Sequence, residues 1–100
     1  MKTYAGIDHE ERGGMTPIGG LIRDAWVFGI LPEGEGCAGW TANAMQIIYG
    51  RVSQIWEQHG YAVANLPDEL RERHERIHRA AIQSAMTQGW EPSHNSDGQI

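Results

Sequence analysis

The sequence has one cysteine, Cys37, so an internal disulfide framework is excluded. With no charged-then-apolar leader at its start, the expectation is a reducing, cytoplasmic setting. No stretch approaches the ~18 uncharged apolar residues that a membrane span needs. Cations are the scarcer charge: 8 Lys and Arg face 13 Asp and Glu, a formal net charge of -5. That sign argues against a protein that itself holds nucleic-acid phosphates and suits a basic partner. Nothing repeats at a fixed period. The pairs Gly13-Gly14 and Gly19-Gly20 lack the Lys and Ser of a P-loop, which leaves turns or close packing as their expected role. No nucleophile-elbow pattern is found, and Cys37 has no base beside it.

What is present is enough for one modest core. One hundred residues form a single domain, 1–100, able to bury roughly 65% of the surface exposed on unfolding. The four Trp are a large apolar load, each able to bury on the order of 200 Å². Residues 1–16 read as an ordered or semi-ordered N-terminal arm. Thr16-Pro17 reads as an N-cap with proline at the first helical position, opening a helix from about 17 to 30. The run AWVFGIL in that segment is also compatible with a short strand near 25–31, and Gly19, Gly20 and Gly29 weaken the helix.

Residues 32–40, PEGEGCAGW, are a loop. Thr41 caps a second expected helix, about 42–59, whose Ala42, Met45, Ile48, Tyr49, Val52, Ile55 and Trp56 share one arc, with Ile47 on the polar side and Gly60 as a left-handed terminator. A third helix starts at Pro67 with Asp68 and Glu69 in its first turn and runs to about Gln88. Leu70, His74, Ile77, Ala81 and Ala85 share a face there. Glu69/Arg73, Glu72/Arg76 and Glu75/Arg79 form three i,i+4 pairs. Residues 89–100 have the composition of a flexible tail. The fold class is therefore mainly α, a compact three-helix arrangement with a long N-terminal arm and Trp26, Ile48, Val52, Trp56 and Ile77 in the core.

The sharpest literal motif is His74-Glu75-Arg76-Ile77-His78. It satisfies H-E-x-x-H, in which two imidazoles one helical turn apart face a zinc ion and the Glu serves as general base. Catalytic zinc also needs a third ligand. The positions that would extend the motif hold Ala81 and Ser84 instead of Gly and His, and the remaining candidates, Glu91 and His94, lie past Gly89. Arg79 stands as a partner for Glu75, which would lower its basicity. The expectation is a solvated helix with His74 at the core edge, no metal, no cofactor, no small-molecule substrate and no catalysis. Adventitious metal binding by His74 and His78 is one alternative, and a zinc hydrolase is the remote one.

Charge distribution gives the other signal. Asp8, Glu10, Glu11, Asp24, Glu33 and Glu35 are opposed between 8 and 35 only by Arg12 and Arg23, whereas the third helix balances four charges of each sign. Such an acidic face either keeps a protein dissolved or docks onto a basic protein surface. These six carboxylates are the candidate partner contacts.

The block DHEERGGMTPIGGLIRDAWVFGILPEGEGCAGW, the helix TANAMQIIYGRVSQIW after it and the HERIH segment together resemble a family of type I-F anti-CRISPR proteins encoded on phages and other mobile elements. The resemblance implies stoichiometric inhibition: binding to protein subunits of the RNA-guided surveillance complex, at the junction of its large and backbone subunits, so that target DNA is not unwound or hybridised. No catalytic residue, cofactor or direct nucleic-acid contact is implied. An acidic adaptor or regulatory protein of another cellular complex fits the residues themselves equally well.

Overall fold

The computed structural model describes residues 2–10 and 14–90. These form α1 (Pro17–Val27), α2 (Ala42–Gln58) and α3 (Asp68–Thr87), with short 3-10 turns at Ile7–His9 and Val63–Asn65. Helix α1 packs against both α2 and α3. The chain is thus mainly helical, as its periodicity requires, and no described helix is long and apolar enough to cross a membrane. Glu11, Arg12, Gly13, Glu91, His94 and the rest of the 91–100 tail lie outside the described residues.

Local chemistry sets the helix ends. Oγ1 of Thr16 accepts from the Gly19 amide at 3.0 Å, and Oγ1 of Thr41 from the Ala44 amide at 3.2 Å, each satisfying an N–H that has no intrahelical partner. The three C-termini share one device. Gly29, Gly60 and Gly89 have positive φ. Their amides reach back to Trp26, Glu57 and Met86, and the amides of Ile30, Tyr61 and Trp90 reach Ala25, Trp56 and Ala85. This is the paired hydrogen bonding of the Schellman motif.

The motif corrects two expectations for the first segment. Helix α1 stops at Val27, short of residue 30, because Gly29 turns the chain at that point. No strand forms among the described residues: the amides of both Ile30 and Leu31 donate to the Ala25 carbonyl, so they are not offered to a neighbouring strand.

The arm is tied to the 32–40 loop. The Tyr4 amide donates to the Trp40 carbonyl (2.8 Å), the Gly39 amide to Tyr4 (2.7 Å) and the Ile7 amide to Gly36 (2.9 Å). Ile7, Ile22, Ala25, Leu31, Cys37, Ile48 and Val52 make the central cluster. Ile77 is buried as well. Trp26 and Trp56, expected in the core, are only partly buried against it. Their indole N–H groups need acceptors, and Trp26 finds the Glu35 carbonyl at 3.0 Å.

Helix α3 is joined to α1 by polar contacts. Arg73 donates to the Val27 carbonyl at 3.1 Å, at the C-terminal end of α1. Of the expected i,i+4 pairs, Glu69–Arg73 forms at 3.7 Å and Glu75–Arg79 also forms. The third does not. Arg76 instead grips Glu33 with two guanidinium nitrogens, at 2.8 and 3.0 Å, because a planar fork on a carboxylate is a stronger contact than a helix-surface pair.

Candidate functional site

The chemistry-bearing cluster lies where α1 meets α3. His74 and His78, one turn apart on α3, stack with ring centroids 4.1 Å apart and planes 29° apart. Across from them, Oδ1 of Asp24 on α1 is 3.1 Å from Nε2 of His78. The other carboxylate oxygen, Oδ2, accepts from the Trp56 indole at 3.0 Å, so α2 orients the group as well. Trp56 also meets Phe28 edge-on, with centroids 5.2 Å apart, and His74 at 6.0 Å. All three helices thus converge on the Asp24 carboxylate.

One ligand atom from each of Asp24, His74 and His78 lies within 4.8 Å of the other two. The side chains of His78 and Asp24 are 28% and 20% exposed, which keeps the cluster reachable from solvent. The pKa of His74 is held below the ordinary imidazole value, first by burial and then by neighbouring His78, with Asp24 opposing. A neutral imidazole retains the lone pair that a metal requires.

The third group was not found in sequence because it is fifty residues upstream of His74 on another helix. Its signal existed: Asp24 is one of two charged residues on an otherwise apolar helix, and a carboxylate there must find partners. The Glu75 carboxylate of the H-E-x-x-H motif is paired with Arg79 on the exposed side of α3.

The structure divides the six candidate partner contacts. Asp8, Glu10 and Glu33 line one cleft of about 260 Å³ together with Arg23 and Arg76. Within it Glu10 accepts from the Thr16 hydroxyl at 2.9 Å, and Glu33 is held by Arg76. Asp24 is engaged inside the helical junction. One oxygen of Glu35 accepts the Cys37 amide at 3.1 Å, supporting Cys37 at φ 63, a backbone conformation uncommon for a non-glycine residue. Glu11 lies outside the described residues. Asp8 is exposed.

Of the two glycine pairs, Gly14 and Gly19 approach each other closely, and Gly13 lies outside the described residues. A Cβ on Gly19 would come within 2.1 Å of the Gly14 carbonyl oxygen, whereas nothing lies within 4 Å of one on Gly20. A second, more apolar groove of about 490 Å³ runs between the arm, α1 and α2, lined by Tyr4, Ile18, Leu21, Trp40, Met45 and Tyr49 among others.

Comparison of the chain with protein-family models, curated proteins and solved structures finds no match.

Proposed function

We propose that this chain acts by binding a macromolecule, as a stoichiometric inhibitor of a type I-F RNA-guided surveillance complex that blocks target-DNA recognition at the junction of large and backbone subunits. The observation that carries the reading is the excess of carboxylates in the N-terminal half, joined to the resemblance of that half and of α2 to anti-CRISPR proteins. Surfaces that hold guide RNA and target DNA are rich in Lys and Arg, so an acidic inhibitor meets a complementary field. Asp8 and Glu10 on one cleft, with Glu11 next in sequence, are the contacts this reading favours, since Glu33 is held by Arg76. Asp24 and Glu35 are already committed to internal partners. The exposed side chains of Ile18 and Tyr49 beside the apolar groove add the apolar surface that protein interfaces combine with a polar rim.

A pull-down with purified type I-F complex, followed by competition for target DNA, is the direct test. Wild type is expected to co-purify with the complex and reduce DNA capture. Reversal of Glu10 and Glu11 to Lys should weaken binding and restore capture. Removing a carboxylate from a partly desolvated ion pair costs ~2–5 kcal/mol of affinity, while a rim contact changes mainly the association rate. No binding by wild type ends the anti-CRISPR reading and leaves an adaptor of another complex as the alternative.

A further inference from the structure

We propose that Asp24, His74 and His78 form a binding site for one divalent transition-metal ion of the zinc class, clipping α1 to α3 and leaving one coordination position open. The donor set is the first argument: two imidazoles and a carboxylate are ligands that zinc accepts, and three protein ligands with a free fourth position is a recurring arrangement for it.

Geometry is the second. Zinc bonds of about 2.0 Å at tetrahedral angles separate neighbouring ligand atoms by roughly 3.3 Å. The pair Asp24 Oδ1 and His78 Nε2 already stands at 3.1 Å, so both can turn their lone pairs to a shared ion with little movement. The full trio lies within 4.8 Å, a spread that rotation of the His74 side chain can close.

The third argument is the support around the donors. Metal-binding carboxylates are commonly oriented by a hydrogen bond to the oxygen that does not ligate. The Trp56 indole makes that bond to Oδ2 and leaves Oδ1 facing the histidines. Solvent has a route in: His78 lines an open cleft of about 360 Å³ together with Gly20, Arg23 and Trp90. Glu75 takes no part, being paired with Arg79. The site therefore differs from the helical hydrolase motif that the sequence suggests, since its third ligand comes from another helix and its adjoining Glu faces away.

The test uses the full chain purified without an affinity tag and stripped of metal, with Zn²⁺ as the probe and Co²⁺ as a spectroscopic substitute. Titration should give one Zn²⁺ per chain with micromolar or tighter affinity. Zn²⁺ should raise the thermal midpoint of the wild type by several degrees, because it binds only where α1 and α3 are docked. Asp24→Asn retains an acceptor for Trp56 and should weaken Zn²⁺ binding at least tenfold and abolish the thermal shift. Glu75→Gln should bind as the wild type does.

Undiminished binding by Asp24→Asn would show only an i,i+4 histidine pair and overturn the proposal, as would absence of stoichiometric binding by the wild type. Should Asp24→Asn fail to fold, His78→Gln and the Co²⁺ spectrum decide. Intense visible bands of a four-coordinate ion in the wild type, lost in His78→Gln, support the site; weak six-coordinate bands or an unchanged spectrum overturn it. None of these readouts involves the surveillance complex, so this proposal and the inhibitor reading stand or fall separately.

Discussion

The indole of Trp56 donates to Oδ2 of Asp24 over 3.0 Å, joining α2 to α1 across 32 positions of sequence. That bond and the one between Asp24 Oδ1 and His78 make a single carboxylate the meeting point of three helices. Trp56→Phe keeps an aromatic ring against Phe28 but removes the donor, and should cost about 1–3 kcal/mol. Trp56→Ala removes the packing too and should cost ~3–5 kcal/mol. Urea unfolding of both variants checks this ordering. Wild-type stability in Trp56→Phe would mean that the hydrogen bond contributes nothing.

Adjacent glycines in α1 should respond in opposite directions. Gly19→Ala drives a methyl into the Gly14 carbonyl oxygen and should destabilise by ~1–3 kcal/mol, as overpacking does. Gly20→Ala meets open space and should stabilise by up to ~1 kcal/mol through helix propensity. Thermal denaturation of the two variants side by side is the measurement.

The Glu33–Arg76 fork sets a pH dependence. The hydrogen bonds from Arg76 are the main reason that the Glu33 carboxyl lies below its ordinary pKa, with the charges of Arg76 and Arg73 adding and desolvation opposing. Between the folded and unfolded values the unfolded chain binds more protons, so stability rises with pH there. The advantage of wild type over Glu33→Gln should be fully present above the unfolded carboxyl value, about 4.3. It should disappear as pH falls through the lower folded value. Both side chains are solvent-exposed, so the effect is small. Denaturant midpoints of the two proteins from pH 7 down to pH 3 test the direction.

On the proposed inhibitor reading, replacing Glu75 with Gln should leave inhibition of DNA capture unchanged, and it should alter stability by no more than ~0.5 kcal/mol, because the residue's partner is Arg79 on the exposed side of α3. Loss of inhibition in a folded Glu75→Gln protein would reinstate that carboxylate as a working general base.

Much of the fold was legible because the determining signals are local. Thr16 and Thr41 are read as caps from their position before apolar periodic segments, and each caps through a hydrogen bond three residues long. Gly60 and Gly89 mark helix ends because a left-handed residue there needs no Cβ. Gly29 carries the same signal, but the apolar run AWVFGIL around it also fits a strand. Only the hydrogen bonds to Ala25 decide between them.

The site was legible only in part. Sequence by itself determined that His74 and His78 share a helix face, since that follows from 3.6 residues per turn. It also determined the acidic excess of the N-terminal half and the amphipathic face of α2. Tertiary structure alone decided which carboxylates remain available and which are taken: Asp24 by Trp56 and His78, Glu35 by the Cys37 amide, Glu33 by Arg76. The physical reason is range. Helix periodicity and capping act over three or four residues, whereas the partner of a partly buried charge is chosen by how α1, α2 and α3 dock, and residues 24, 56 and 74–78 meet only then.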